Sequence, residues 1–380
     1  MIPSLPIRFF RYSTRQAISP ETSAWREFLP SDRHSTRSAE GISLADYFTA
    51  LADYLNGSGN PAFQRGVATL FGASYDAAAV ESVDVILEKH GAFYHPARVR
   101  VRGAGGVRSF VVNVAVSEAG RRIIAGEYDN LCRLGGPGAA SGLPRVFGLG
   151  AGRSPHGAYP MVLGEWLDGF CEFHLSRAET GGLRTLAWGP DGVNFFLSSD
   201  QVDRLHQEAA RILSRHYNPL TFEQIFPWHH AAGDFVVRID APELAVRLVT
   251  VRQYAPLFAH CVADAGPAPA ADGLAGLLLF LANLSLRTRV DRLDGVGDVV
   301  LAEASVIGPT IAGMLAGMAE RGDSPPDDFR AYLLERSPAQ LAEVFMRVME
   351  GWHPGAAETA PVRDVLADHV LAFWEAVNGL

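Results

Sequence analysis

Trp228, His229, His230 and Asp234 stand together just ahead of a short apolar run, Phe235-Val-Val. Imidazole and carboxylate side chains at this spacing suit two kinds of chemistry. A neutral imidazole accepts a hydroxyl proton near neutral pH, as a general base does. A carboxylate holds a hard divalent cation such as magnesium. Two histidines and a carboxylate could also ligate a transition metal. Adjacent histidines on an extended segment point to opposite faces, however, and converge on one ion only across a bend. Gly233 lets the backbone turn sharply directly before Asp234. The element that must position these groups is a hairpin. Two short, mainly apolar runs, 235–237 and 245–251, flank a polar turn containing Pro242. A loop held on such a frame is a common seat of function.

Composition narrows the class. The chain has 380 residues, 48% of them hydrophobic, enough for a sizeable core spread over two domains or lobes. A net charge of −9 argues against a general polyanion-binding surface, so nucleic acid is not an expected partner. Lys89 is the only lysine, and any chemistry that needs an amine must use it. Cys132, Cys171 and Cys261 are widely spaced and form no CxxC pair, which fits a reducing compartment and gives no zinc signature. No apolar run near the N-terminus reads as a secretory signal, and the apolar stretch 274–284 is too short to span a bilayer. The expectation is a cytoplasmic protein without a membrane partner.

Along the chain, residues 1–40 read as an irregular arm that packs through Phe9, Phe10 and Trp25. Helical spacing begins at Ser43 and stops at Asn56-Gly57, and a second helix is expected over 61–71. From Val80 the pattern becomes strand-like. A strand over 83–90, an alternating strand ending in Ala97-Arg-Val-Arg-Val-Arg, a turn at 103–106 and a third strand over 108–117 follow in order. Gly103-Ala-Gly-Gly precedes no helix, so it is read as a hairpin turn and not a phosphate cradle. A helix over 119–134 carries Glu127, and two more strands end near Gly169. After Gly169 the chain reads as mainly helical, with helices expected over 198–217, 273–286, 302–321, 327–335, 338–351 and 360–379. Arg289, Asp291, Arg292 and Asp294 form a charged turn that could be an anion clamp or an ion-pair network capping a helix.

This order resembles the protein-kinase-like fold, in particular the aminoglycoside phosphotransferase and choline kinase group, over about residues 80–300. The resemblance implies an α+β, two-lobed protein. Residues 1–79 would be an N-terminal arm and helical extension, 80–163 a small antiparallel β lobe and 164–380 a larger helical lobe. Met161-Val-Leu-Gly-Glu-Trp-Leu-Asp-Gly is similar to the family hinge, whose backbone groups hold adenine. Those groups would lie at Gly164, Glu165 and Trp166. Glu127 matches the helix glutamate that pairs with a strand lysine to orient phosphates. The lysine position falls nearest Asn113, and Lys89 could replace it only from the first strand. In the family's catalytic loop, His229 falls at the catalytic aspartate and Asp234 at the asparagine that binds magnesium. Thr250 or Arg252 falls at the second metal-binding aspartate.

The function implied is an atypical or degenerate small-molecule phosphotransferase, dependent on ATP and Mg²⁺ if active, with His229 as base and Asp234 as metal ligand. The alternative is a catalytically inactive pseudokinase acting as a binding or scaffold protein. The changed lysine and aspartate positions favour the alternative. The polar cluster from His229 to Asp234 favours the enzyme.

Overall fold

The computed structural model describes residues 5–11, 16–29, 41–57, 60–72, 80–88, 93–136, 142–179, 181–189, 192–231, 233–240, 243–257, 269–322 and 325–379. The chain divides into two compact units, Met1–Gly138 with Pro144–Asp168, and Ala139–Leu143 with Gly169–Leu380. Residues 1–79, the expected N-terminal arm and helical extension, fall in the same unit as the sheet.

The first unit comprises β1 (Ile7–Arg11), β2 (Ala17–Ile18), α1 (Leu44–Asn56), α2 (Pro61–Phe71), β3 (Val80–Leu87), β4 (His95–Gly103), β5 (Gly106–Val114), α3 (Glu118–Gly135), β6 (Val146–Ser154) and β7 (Gly157–Glu165). One seven-stranded sheet runs in the order β2-β1-β3-β4-β5-β7-β6. From β3 to β6 every pairing is antiparallel.

Local chemistry explains the helices. Ser43 and Asp46 form a reciprocal capping box at the start of α1. Asn60 caps α2 by accepting from Ala62 and Phe63 amides. Both helices lie on one face of the sheet, where Tyr47, Phe48, Leu51 and Phe63 bury themselves against Val85, Val99, Phe110 and Val112. In β4 the alternation places Ala97, Val99 and Val101 in this core, while Arg98 and Arg100 take the other face.

Close approach of α1 and α2 to β6 requires glycine at alternate positions. A Cβ on Gly148 would lie 2.4 Å from the Ala62 Cβ, and one on Gly152 would lie 1.9 Å from the Ala50 carbonyl oxygen. The opposite face is covered by α3, through Ile124 packed with Ala115 and Val162. The expected irregular arm is corrected in part. β1 adds to the sheet parallel to β3, a pairing no local turn could announce because its partner is distant in sequence. The aromatic packing holds, with Phe9 and Trp25 against Phe48.

The second unit begins with β8 (Phe173–Arg177), β9 (Leu183–Trp188) and β10 (Asn194–Phe196), followed by α4 (Ser199–Arg215), β11 (Glu223–Ile225), β12 (Phe235–Asp240), β13 (Glu243–Leu248) and β14 (Tyr254–Pro256). It continues with α5 (Pro269–Arg287), β15 (Val290–Arg292), β16 (Val299–Leu301), α6 (Ile307–Arg321), α7 (Pro326–Leu334), α8 (Pro338–Glu350), α9 (Thr359–Asp364) and α10 (Leu366–Asn378). The expectation that helices follow directly on Gly169 is wrong for this stretch. β8, β9 and β10 form a three-stranded antiparallel sheet. Phe173-His-Leu-Ser-Arg carried no strong alternation, and its strand character comes from pairing with β9. The expected hairpin is present as β12 and β13.

α4 and α6 cross closely. A Cβ on Gly313 would sit 2.0 Å from the Gln207 carbonyl oxygen, and Arg211 and Arg215 both pair with Glu320 along the seam. No described helix is long and apolar enough to cross a membrane.

Adding one methyl at the glycine stripe of β6 forces α1 away from the sheet. Gly152→Ala is expected to lower the unfolding free energy by about 1–3 kcal/mol, read from urea denaturation. Leu149→Ala, at a position 40% exposed on the same strand, is expected to cost much less.

Candidate functional site

The turn between β11 and β12 builds the site in the second unit. Trp228 is buried at its start, His229 is exposed and His230 is buried again. The two histidines thus separate, as neighbours on extended backbone should. Gly233 adopts φ +79°, and a Cβ there would press against the Glu172 carboxylate at 3.1 Å. This left-handed step delivers Asp234 inward, with its side chain only 6% exposed.

The Asp234 carboxylate is fully engaged. Its Oδ1 accepts from Arg252 Nη2 at 2.5 Å, and its Oδ2 accepts from Arg252 Nη1 at 2.9 Å. Oδ2 also accepts from the His229 backbone N–H at 2.9 Å. A two-pronged guanidinium–carboxylate pair of this kind is both strong and geometrically specific. His229 and Asp234 do come together, but through the main chain. The imidazole of His229 is held in solvent and is not oriented by the carboxylate. For Asp234 to hold a cation, Arg252 would first have to leave it. Among the described residues no group of three or more His, Cys, Asp or Glu side chains is placed to hold a metal ion.

The residues matched to nucleotide binding lie in the first unit. Glu127 is buried and accepts a 2.6 Å hydrogen bond from the Tyr94 hydroxyl. Asn113 stands opposite Val162 in the β5–β7 register. Val162 packs on Ile124, so Asn113 points to the face that α3 covers. Lys89 lies outside the described residues. Gly164 sits in β7 opposite Val111.

The Glu165 N–H donates to the Arg145 carbonyl at 2.8 Å, and the Trp166 N–H donates to the Ser109 carbonyl at 3.4 Å. The Glu165 carboxylate is gripped by Arg145 at 3.1 Å, a bond that raises the arginine's pKa. Arg98 lies over the Trp166 ring at 4.9 Å and pairs with Asp168 at 2.6 Å. The backbone donors of Glu165 and Trp166, expected to face adenine, are therefore used within the sheet and its edge.

Sequence reasoning missed a buried histidine cluster in the second unit. The rings of His206 and His230 lie 4.5 Å apart. His206 faces two carbonyl oxygens, Val202 at 2.9 Å and Thr288 at 3.2 Å. A neutral imidazole can donate to only one of them. His369 resolves its partners fully. Arg289 Nη1 donates to its Nδ1 at 2.8 Å, so Nε2 carries the proton and donates to Ser285 Oγ at 3.1 Å. Burial pushes His206 down to about 4, and burial with the Arg289 charge pushes His369 down to about 3.

In the charged turn that follows α5, Arg289 and Asp291 reach partners outside the turn. Arg289 donates to the Ala302 carbonyl and to His369, while Asp291 accepts from the Leu175 amide at 2.6 Å and faces His174 at 3.1 Å. The available signal was modest. His206 and His369 each stand on the apolar stripe of a helix, beside Leu205 and Ala209, and beside Val370 and Phe373.

Set beside known proteins, the sequence matches no protein-family model, and no curated protein is significantly similar to it.

Removing one partner of the Asp234–Arg252 pair strands a buried charge. Asp234→Ala is expected to lower stability by about 3–5 kcal/mol. Asp234→Ala combined with Arg252→Ala should cost clearly less than the sum of the two single changes in a double-mutant cycle. The histidines give a pH dependence. Their folded pKa values, about 4 for His206 and about 3 for His369, lie below the unfolded value of about 6.5. As pH falls below about 6.5, the unfolded chain takes up protons that the folded chain refuses. Stability is thus complete above that pH and drops towards about pH 4, by up to about 1.4 kcal/mol per pH unit for each histidine. Urea midpoints across this window check it, and a flat profile would refute it.

Proposed function

We propose that this protein is a kinase-like binding or scaffold protein that does not transfer phosphate. The central strand order β3-β4-β5-β7-β6, with α3 inserted between β5 and β6, supports a relation to the aminoglycoside phosphotransferase and choline kinase group. That group has an antiparallel small lobe with one helix.

The observation that carries the loss of chemistry is the Asp234–Arg252 pair. In the matched catalytic segment Asp234 stands at the asparagine that binds magnesium, and Arg252 is one of the two residues, with Thr250, that fall at the second metal-binding aspartate. The guanidinium supplies the positive charge that the carboxylate needs, so the buried site is neutral without a metal. Both terminal nitrogens of the guanidinium are directed at the carboxylate. Asn113 in place of a lysine supports the same reading, since an amide brings no charge to phosphate. So do the Glu165 and Trp166 amides, which are already bonded within their own unit.

The competing reading is an ATP- and Mg²⁺-dependent phosphotransferase acting on a small-molecule hydroxyl. It rests on the exposed His229 beside Asp234, and it requires Arg252 to swing off the carboxylate during each cycle.

Thermal shift with ATP, in the presence and absence of Mg²⁺, separates the two. A ligand that binds only the folded form raises the melting temperature by mass action. The expected result is no Mg²⁺-dependent rise. A rise that requires Mg²⁺ and disappears in Asp234→Asn would establish the phosphotransferase instead.

A further inference from the structure

The second unit holds a small pocket that the Asp234–Arg252 site does not use. His206, His230, Thr185, Thr288, Arg289 and Asp291 are among the residues around it, with Phe173, Leu175 and Leu205, and most of the surface that faces it is apolar. Its free space is about 10 Å³, close to the minimum that one water molecule needs.

His230 is what asks for a ligand. It is 5% exposed, and neither Nδ1 nor Nε2 has a hydrogen-bond partner among the described residues. Aromatic rings box it in, with Phe173 at 5.3 Å, His206 at 4.5 Å and Phe235 at 5.9 Å between centroids. A neutral imidazole always presents one N–H donor and one lone pair. Buried polar groups are costly when left unpaired, and native structures seldom leave them so. Burial and the nearby His206 push the His230 pKa well below its ordinary value, so the ring stays neutral.

We infer that this cavity is a binding site for one ordered water molecule, hydrogen-bonded to a ring nitrogen of His230 and to polar groups of the lining. The chemistry of the lining selects water over an ion. An anion would meet the Asp291 carboxylate, and a cation would meet the Arg289 guanidinium. The arginine already donates to the Ala302 carbonyl and to His369. Asp291 is likewise committed to the Leu175 amide and His174. Water is neutral, donates and accepts, and so complements a neutral imidazole whichever nitrogen carries the proton. It also fits the space.

The test is a high-resolution crystal structure of the full chain grown in bromide, with anomalous data. The expected result is an oxygen-sized peak without anomalous signal, within about 3.2 Å of a His230 ring nitrogen and of a second polar atom. An empty cavity overturns the inference. An anomalous bromide peak at the site overturns it too, by assigning the cavity to an anion. In solution, ¹⁷O water relaxation dispersion counts long-lived internal waters. His230→Phe keeps a ring of similar size but removes both nitrogens, and should lose one such water while its circular dichroism is unchanged. A folded variant with an unaltered water count overturns the inference. If the variant does not fold, the wild-type crystal decides alone.

Discussion

The ion pair between Asp234 and Arg252 sets the geometry of the whole segment from β11 to β14. The segment is closed three times over. At its neck β11 pairs with β14, at its tip β12 pairs with β13, and between the two the guanidinium spans from one arm to the carboxylate of the other. The Asp234 carbonyl also accepts from the Val249 amide at 2.8 Å, which fixes the backbone on which the carboxylate rides. A buried pair of this kind adds little net stability compared with apolar residues of the same shape, yet it tolerates no missing partner. Its effect is to select one conformation of the turn. That conformation leaves His229 outside and puts His230 inside.

Two other buried groups of the second unit are met by partners that carry no negative charge. His369 is satisfied by a directed chain in which Arg289 donates to histidine, histidine to Ser285, and Ser285 to the Ala282 carbonyl. Every donor finds an acceptor without a negative charge on any member. Arg287 is handled differently. Its guanidinium lies over Trp352 at 4.1 Å and over Phe226 at 4.8 Å, and burial lowers its pKa to about 10. Aromatic faces and a hydrogen bond to Asn283 replace the carboxylate that such a cation usually seeks. Arg287 and Arg289 are thus held in partly dry surroundings by neutral hydrogen-bond partners, whereas Asp234 is met by a guanidinium.

In the first unit the organising constraint is steric. Gly148, Gly150 and Gly152 occur at alternate positions of β6 and leave a floor without side chains for α1 and α2. The helices settle against backbone, and the large aromatic residues fill the space over the neighbouring strands. The opposite face carries Asn113, Val162 and the α3 contact. The sheet therefore devotes one face to stability and leaves the other, with Glu127 and Tyr94, more polar.

Much of this was legible in the amino-acid sequence, and for local reasons. Ser43 with Asp46, Ser198 with Gln201 and Ser337 with Gln340 are capping pairs whose partners lie three residues apart, so the starts of those helices are written locally. The period-two pattern of Ala97-Arg-Val-Arg-Val-Arg states which face of β4 is buried, and the hairpin of β12 and β13 follows from two runs and a turn. Gly233 before Asp234 gave notice of a sharp, inward step. What the tertiary structure alone decided are the partnerships between distant residues. No pattern in Ile7-Arg-Phe-Phe-Arg names β3 as its neighbour. Arg252 stands eighteen residues from the carboxylate it neutralises, and only the folding of β12 on β13 brings it there. Whether Asp234 would face a cation or a guanidinium was a question of which side chain reached it in space. The histidines of α4 and α10 stand on apolar stripes, and packing alone joins them to Thr288, Ser285 and Arg289. Residue types and spacing fix what a short stretch can form, while the chemistry of a buried group is fixed by neighbours that only the folded chain supplies.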